Sequence, residues 1–392
     1  MKLFLDRIKN IFWIIISLLF RMILPIKKGR IIMWSYFGKN YSCNPKAVSD
    51  YILLNHKDEY DIIWAFLKGR TPTKMPAGIK TVTFKTLKYL YYLNSSEYII
   101  TNTRTFISAS SWIKRKKQKY IMTWHSSMGL KCIEGDADIK SLGIPYVRAA
   151  KLDSKRCDLI ISGSKARTDV IKRAFWYDGE ILESGTPRND ILFDNKRITE
   201  IRESVFRHFN IPEDDFVILY APTFRGSYST EMYRLNWNSI LESFENKFKK
   251  NCHIIVRLHP NYINKGIDTS DLINYRHTYD GTYYNDMQEL LVSSNVLITD
   301  YSSSMFDYAY MKKTVFLYAT DYKNYDRNTY FKLDSLPFPF SDKESELIKN
   351  IENYNQNDYL LNLNTFLNEE IGSYESGIAN ETLLAWMRQH HI

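Results

Sequence analysis

Polar residues able to hold a phosphate group follow an apolar run in the second half of the chain. The predicted strand 296–299 ends at Asp300, and Ser302 and Ser303 open a predicted helix that contains Asp307. Backbone N–H groups and hydroxyls at the start of a helix can bind a phosphate, assisted by the helix dipole. An ordinary capped turn is the alternative. Since other strand ends carry similar groups, we expect these four residues to bind a phosphorylated donor.

Two further strand ends of the second half carry basic side chains. His259 follows the predicted strand 252–258, where an imidazole could bind a diphosphate and act in catalysis. Arg225 follows the predicted strand 216–220, where a guanidinium could hold phosphate oxygens through two hydrogen bonds. A surface histidine in a turn and a surface arginine in a loop are the alternatives.

The first half of the chain offers a candidate base. His125 ends an apolar run, and its ordinary pKa near 6.5 would let it take a proton from an acceptor hydroxyl at neutral pH. A histidine bonded to backbone at the edge of a core is the alternative. Lys131 could bind phosphate. Arg188, after the last strand of this half, could do the same, and Asp190 could cap the next helix or hold Arg188.

Strand and helix signals alternate along the chain and restart after a boundary near residues 192–212. Such alternation predicts two α/β domains in series, each Rossmann-like with a parallel sheet, facing each other across a cleft. We place the domains at residues 30–195 and 196–392. Strands are predicted at 31–34, 61–67, 81–84, 98–101, 120–124, 158–161, 216–220, 252–258, 296–299 and 315–318.

Helices are predicted between these strands from their caps and apolar spacing. One helix covers 46–54, with Asn44 as its N-cap and Pro45 as its first residue. Others cover 165–175 and 196–209. The polar candidates therefore fall beyond the carboxyl ends of strands, where ligands bind in such sheets.

Residues 1–29 are predicted to form a helix lying in an anionic membrane surface. The segment 11–26 is apolar but contains Arg21, and lysines and arginines flank it on both sides. A bilayer span needs roughly 20 apolar residues, and the unbroken run here is shorter. Basic flanks favour binding at the membrane surface. A helix packed on the protein, a true span and a signal peptide are the alternatives.

Composition excludes several classes of protein. The 392 residues are 44% hydrophobic and carry a net charge of +9, which favours anionic partners such as phospholipid or phosphate-rich substrates. No nucleic-acid-binding module is recognisable, so we expect no nucleic acid partner. The four cysteines form no C-x-x-C pair and no histidine cluster has zinc spacing, so we expect no metal, no cofactor and a reduced cytoplasmic location.

Six motifs in order resemble the CDP-glycerol glycerophosphotransferase family of teichoic acid synthesis. They span roughly residues 31–330 and read WHSSMGLK, SGSKARTDVI, ESGTPRNDIL, YAPTFRG, RLHP and LITDYSSSMFDYAYMKKTVFLY. The resemblance implies a GT-B fold, with an N-terminal acceptor domain and a C-terminal CDP-glycerol domain. It also implies peripheral attachment to the inner face of the cell membrane.

By position, His125 is similar to the catalytic base of that family. Arg225, His259, Ser302 and Ser303 are similar to its donor-phosphate site, and Asp307 lies in the same motif. Two positions depart from the family pattern: Ser126 stands where glycine is common, and Thr314 where proline is common. The first could alter the fit of the acceptor, and the second affects only a turn.

The resemblance implies transfer of glycerol-phosphate from CDP-glycerol to a hydroxyl of an undecaprenyl-diphosphate-linked saccharide, with release of CMP. CDP-ribitol as the donor is one alternative. A CMP-sugar transferase of the sialyl type is another, because some of those enzymes use His-Pro and Ser-Ser elements in a GT-B frame. A membrane-bound scaffold without activity is the third. The oligomeric state stays open.

Overall fold

The computed structural model describes residues 2–106, 109, 112–225, 230–259, 262 and 270–392. The chain forms two compact units. The first contains Met1–His125, Ile133–Asp190 and Tyr374–Ile392, and the second contains Ser126–Cys132 and Ile191–Ser373. Each unit holds a parallel β-sheet with helices, which confirms the predicted α/β class.

Among the described residues of the first unit, seven strands form one sheet in the order β3-β2-β1-β4-β5-β6-β7. All of their pairings are parallel. The central strands β1 and β4 are buried along most of their length, which explains the apolar runs 31–34 and 98–100 within them. The strands are β1 Lys27–Trp34, β2 Asp61–Phe66, β3 Ile79–Thr83, β4 Ser96–Thr101, β5 Lys119–Met122, β6 Leu159–Ser162 and β7 Glu180–Glu183.

The helices of the first unit connect and cover this sheet. They are α1 Lys2–Ile23, α2 Cys43–Asn55, α3 Leu87–Ser95, α4 Ile139–Leu142, α5 Ile144–Ser154, α6 Lys165–Ala174 and, at the end of the chain, α13 Ala379–Gln389. The N-cap of α2 is Ser42, so the predicted N-cap, Asn44, is wrong by two residues. The side chain of Asn44 instead donates to the backbone carbonyls of Thr123 and Trp124.

In the described part of the second unit, six strands form a parallel sheet in the order β10-β9-β8-β11-β12-β13. They are β8 Phe216–Tyr220, β9 Cys252–Val256, β10 Thr278–Asp280, β11 Val296–Thr299, β12 Thr314–Tyr318 and β13 Phe340–Ser341. The helices are α7 Asn195–Phe209, α8 Trp237–Phe248, α9 Met287–Ser293, α10 Ser304–Tyr310, α11 Glu344–Glu352 and α12 Gln356–Thr365.

The unit boundaries differ from the sequence boundary in two segments. The change of unit at Asp190 lies five residues before the expected position, 195. Residues 374–392, however, belong to the first unit, and residues 126–132 to the second. Residues 374–392 belong to the first unit because α13 buries Leu383, Leu384 and Met387 in the core formed by β1, β2, β4 and β5.

Helix α1 packs against α3 through one face. Ser17 is buried there, and its hydroxyl receives a hydrogen bond from the side-chain amide of Asn94 at 3.2 Å. The structure describes no helix with the length and apolar character needed to span a bilayer. Strand β1 begins at Lys27, within the segment 1–29 that was expected to be helical. Another face of α1 exposes large apolar side chains, namely Ile11, Phe12, Ile15, Leu18, Leu19, Met22 and Ile23.

Candidate active site

His125 is the last residue of the first unit before the chain enters the second, and it follows β5 by three residues. Its Nδ1 lies 3.2 Å from the carbonyl oxygen of Asn102, which follows β4. Since a carbonyl oxygen only accepts, a neutral imidazole must donate from Nδ1, and Nε2 then carries the lone pair. The ring stacks on Trp124, with centroids 4.6 Å apart.

The environment of His125 favours its neutral form. Burial lowers the pKa of His125 to about 4; the charges of Arg188 and Arg167 act in the same direction, and the Asn102 carbonyl opposes them. The imidazole is therefore neutral at physiological pH. The expected base has the protonation state and the tautomer that proton abstraction needs.

Arg188 lies beside His125 in the first unit. Its Nη1 donates to the carbonyl oxygen of His125 at 2.8 Å and to Sγ of Cys43 at 3.4 Å. Its backbone N–H donates to the side chain of Asn44. Asp190, the predicted pairing partner of Arg188, instead accepts hydrogen bonds from Asn380 and the backbone of Ala379. Arg188 thus holds the backbone of the candidate base.

The segment 126–132 is built into the second unit. Ser127 Oγ donates to the carboxylate of Asp307 at 2.9 Å, and Lys131 bridges to Thr329 in antiparallel fashion. Asp307 is buried, and its carboxylate binds the segment through Ser127. Segment 126–132 is therefore anchored on α10, the helix that follows the serine turn of the same unit.

Asp300 organises the carboxyl ends of β8 and β11 in the second unit. One of its carboxylate oxygens accepts from the backbone N–H groups of Thr223 and Tyr301 at 2.7 and 2.6 Å. The other lies 2.9 Å from Nη2 of Arg225. Asp300 is 2% exposed, so this carboxylate fixes the loop that carries Arg225.

Arg225 also pairs with a second carboxylate, Asp321, which was not among the predicted site residues. Its Nε donates to Asp321 at 2.7 Å. Burial alone would lower the pKa of Arg225, but the hydrogen bond to Asp321 and the charge of Asp300 outweigh it and raise the pKa. The guanidinium also lies over the ring of Tyr301, 4.9 Å from its centroid. Asp321 lies three residues after the end of β12, so its position beyond a strand was a signal that could have identified it.

The serine turn joins β11 to α10. Ser303 is the N-cap of α10 but its side chain makes no capping bond, and Ser304 Oγ donates to Ser302 Oγ at 2.8 Å. The hydroxyl of Ser302 also accepts from the backbone N–H of Ser304 at 3.4 Å, so a serine of this turn does bind the first turn of α10. Ser302 and Ser303 follow Asp300 in the sequence, and both residues are partly exposed to solvent.

His259 and Lys131 complete the predicted set. His259 is exposed three residues after β9, and its ring lies 5.4 Å from that of Phe224. Burial lowers the pKa of Lys131 to about 8; the charges of Asp300 and Asp321 raise it, and those of Arg327 and Arg225 lower it. Lys131, Arg225 and Asp300 thus belong to one charged cluster of the second unit.

Within the described ranges, no group of three or more histidine, cysteine or carboxylate side chains could hold a metal ion. The four cysteines are present as free thiols.

Two α/β units, each with a parallel sheet and polar side chains beyond its strand ends, give the chain the architecture of GT-B-type enzymes. Residues 16–387 match the family described as CDP-Glycerol:Poly(glycerophosphate) glycerophosphotransferase. The chain belongs to this family of enzymes.

Relatives and solved structures agree with this membership. The chain is 32% identical to a teichoic acid poly(glycerol phosphate) polymerase of Bacillus spizizenii, over 88% of this chain and 89% of that protein. It is 30% identical to a teichoic acid glycerol-phosphate transferase of Staphylococcus aureus, over 91% and 92%. A variant of the wall teichoic acid polymerase TagF, soaked with CDPG, superposes with a TM-score of 0.82 at 28% identity, over 98% and 96%.

Proposed function

We propose that the protein transfers glycerol-phosphate from CDP-glycerol to a hydroxyl of a membrane lipid-linked saccharide during teichoic acid synthesis, and releases CMP. The observation that carries the proposal is the neutral imidazole of His125, whose Nδ1 faces the Asn102 carbonyl and whose Nε2 can accept a proton. The named relatives support the choice of glycerol-phosphate as the transferred group.

In the proposed reaction the acceptor hydroxyl attacks the β-phosphorus of CDP-glycerol. Its proton moves to Nε2 of His125, a new P–O bond forms, and the bond between the β-phosphorus and the bridging oxygen breaks. CMP leaves with that electron pair. We assign the donor phosphates to Arg225, His259, Ser302 and Ser303, with Lys131 as a further cation, because positioning and charge stabilisation supply most of the rate of such transfers.

Asp300 and Asp307 are assigned supporting roles at the donor site. Asp300 fixes Arg225 and the loop after β8, and Asp307 fixes Ser127. Arg188 is assigned to the acceptor side, through its bond to the His125 carbonyl. The reaction as written requires no metal and no covalent intermediate.

The experiment that tests this function offers the purified protein CDP-glycerol or CDP-ribitol with a short lipid-linked disaccharide, with or without one glycerol-phosphate attached. We expect CMP release and transfer with CDP-glycerol. Transfer with CDP-ribitol alone would move the assignment to a ribitolphosphotransferase. Absence of turnover with both donors would favour a CMP-sugar transferase or a scaffold.

Lys131 provides a pH prediction for donor binding. Its ammonium loses charge as the pH rises through the value of about 8, so kcat/KM for CDP-glycerol is expected to fall above that pH. Replacing Lys131 by Met should lower donor affinity about 10- to 100-fold at neutral pH, the value of a charge-assisted hydrogen bond, and remove this alkaline limb.

The control for Lys131 is Lys332→Met, which removes an exposed lysine of the same unit. Lys131→Arg should retain affinity and extend it to higher pH, because a guanidinium stays charged. Identical pH profiles for the Lys131→Met variant and the unmodified enzyme would contradict the assignment.

We propose that α1 binds the protein peripherally to the cytoplasmic face of the cell membrane. The exposed side chains Ile11, Ile15, Leu18, Leu19 and Met22 recur at helical spacing and form one apolar stripe. Lys27 and Lys28, both exposed, follow the helix and favour anionic lipid. The four free cysteines are compatible with a reduced compartment.

Replacing Ile15 and Leu19 together by Glu should weaken binding to phosphatidylglycerol-containing vesicles roughly 100-fold, since two apolar side chains lose their burial. Co-sedimentation measures this binding, and Leu361→Glu, at an exposed leucine of the second unit, is the control. Unchanged pelleting of the double variant would count against the membrane role of α1.

A further inference from the structure

The backbone that carries His125 leaves the sheet in a turn that is costly for its sequence. The backbone N–H of Thr123 still donates to Thr101 of β4 at 2.9 Å, but Trp124 adopts a φ of +52°. A left-handed conformation is unfavourable for a bulky residue and persists only where neighbouring groups enforce it. The direction of the His125 side chain depends on this turn.

Asn44, in the first turn of α2, supplies those neighbouring groups. Its Nδ2 donates to the carbonyl oxygen of Thr123 at 3.1 Å and to that of Trp124 at 3.0 Å. Its Oδ1 accepts from the backbone N–H of Arg188 at 3.0 Å. The side chain is 0% exposed, so a buried amide uses both of its N–H groups and its carbonyl oxygen on backbone.

These two bonds select the turn. In an extended strand successive carbonyl groups point in opposite directions, so one nitrogen could not bind both. The left-handed Trp124 brings the carbonyls of Thr123 and Trp124 to the same side, where one amide group reaches them. Asn44 therefore stabilises the turned backbone relative to the extended one.

The bond from Oδ1 extends the same arrangement to His125 itself. Asn44 holds the backbone of Arg188, and Nη1 of Arg188 donates to the carbonyl oxygen of His125. Three consecutive carbonyls, those of residues 123–125, are thus bound by Asn44 or Arg188. The ring stacks on Trp124 and its Nδ1 meets Asn102, so displacement of the turn would move both contacts.

We propose that Asn44 is a positioning residue for the reaction: its side-chain amide enforces the left-handed turn at Trp124 and so aims the imidazole of His125 at the acceptor hydroxyl. The proposal rests on the proposed role of His125 as the proton acceptor. The side-chain hydrogen bonds of Asn44 go to backbone atoms of residues 123, 124 and 188, so it acts through His125 and not on the substrates.

The test replaces Asn44 by Asp and, separately, by Ala. Asp retains the acceptor for Arg188 but presents an oxygen to the two carbonyls, and Ala removes all three bonds. We expect kcat to fall about 100-fold in both variants, the scale of a displacement of about 1 Å, with the Kd for CDP-glycerol unchanged. Asn44→Asp should also shift the acid limb of kcat/KM to higher pH, because a nearby carboxylate favours the imidazolium form.

Gln118→Glu is the matched control at the other end of β5. Gln118 is also 0% exposed, and its Nε2 donates to the carbonyls of Leu93 and Ser96, both at 2.8 Å. If the amide of Gln118 has only a structural role, Gln118→Glu should lower the melting temperature as Asn44→Asp does but leave kcat and the pH profile unchanged. If the Asp variant does not fold, Asn44→Ala provides the test: kcat should fall while the Kd for CDP-glycerol stays unchanged.

The outcomes separate the two proposals. Loss of kcat and a shifted acid limb at residue 44, without either effect at residue 118, supports the positioning role. If the Asn44 variants behave like Gln118→Glu while His125→Ala is inactive, the positioning role is wrong and the proposed function stands. If His125→Ala keeps full turnover, the role of His125 fails and this inference fails with it.

Discussion

Replacing His125 by Ala is expected to reduce kcat about 1,000-fold, within the usual range for a general base, while the Kd for CDP-glycerol stays the same. The substitution removes the nitrogen that accepts the proton of the acceptor hydroxyl. The residues assigned to the donor lie in the second unit and remain intact. Single-turnover kinetics and equilibrium binding of CDP-glycerol measure the two quantities separately.

His390 of the first unit is a closely matched control. Its Nδ1 lies 2.8 Å from the carbonyl oxygen of Trp386, and its ring stacks on Trp386 at 4.2 Å. His125 has the same two kinds of contact, with Asn102 and Trp124. His390→Ala should therefore reproduce the structural consequences of losing a stacked histidine without the loss of rate. Weakened donor binding in His125→Ala, at unchanged kcat, would contradict the role of base.

The pH dependence provides an independent check on the same group. Because burial and the two arginines lower the pKa of His125 to about 4, the imidazole stays neutral well below pH 6. We expect the acid limb of kcat/KM to lie near that value and to be absent in His125→Ala. An acid limb near the ordinary value of about 6.5 would show that another group is being titrated.

Replacing Asp300 by Ala is expected to lower the free energy of unfolding by about 3–5 kcal/mol, the cost of removing one partner of a buried ion pair. The change leaves the guanidinium of Arg225 without one carboxylate and leaves the N–H groups of Thr223 and Tyr301 without their acceptor. Because these groups form the loop assigned to the donor, CDP-glycerol binding should weaken as well. Urea denaturation and equilibrium binding measure the two effects.

Asp321→Ala tests whether burial is the reason for this cost. Asp321 binds the same guanidinium, but its side chain is 25% exposed, against 3% for Asp300. Water can replace a half-exposed partner, so we expect a loss of about 1 kcal/mol. Equal losses of stability in the two variants would show that Asp300 does not organise the site in the way described.

The strands that could be predicted from the sequence are those buried on both faces. The runs 31–34, 98–101, 216–220 and 296–299 are unbroken and apolar, and each coincides with or lies within an observed strand. Strands β7, β10 and β13 were not predicted, since they are edge strands of four, three and two residues. Segments this short leave no period to recognise.

The placement of residues 374–392 in the first unit, and of residues 126–132 in the second, could not be predicted from the local sequence pattern. Leu383, Leu384 and Met387 form an ordinary amphipathic helix, and nothing near them in the sequence indicates that they join the core of β1 and β4. The membership of segment 126–132 in the second unit could not be predicted either, because Ser127 bonds to Asp307, which lies 180 residues away in the sequence. Contacts of this range depend on the assembled fold.

Strand ends indicated where the candidate site lies but not how its side chains pair. His125, Asp300 and Arg225 were identified because each follows an apolar run. The pairing of Arg225 with Asp300 and Asp321 depends on the spacing of neighbouring strands. The turn at Trp124, and with it the use of Asn44, needs a left-handed backbone that no residue type in WHSS signals.

The most direct measurement follows a phosphorus label from the donor to the acceptor. CDP-glycerol labelled at the β-phosphorus is incubated with the purified protein and a lipid-linked disaccharide carrying one glycerol-phosphate. We expect the label to appear in the acceptor with one CMP released per label transferred, and both rates to fall about 1,000-fold in His125→Ala. Release of CMP without label in the acceptor, or equal transfer by His125→Ala, would contradict this expectation.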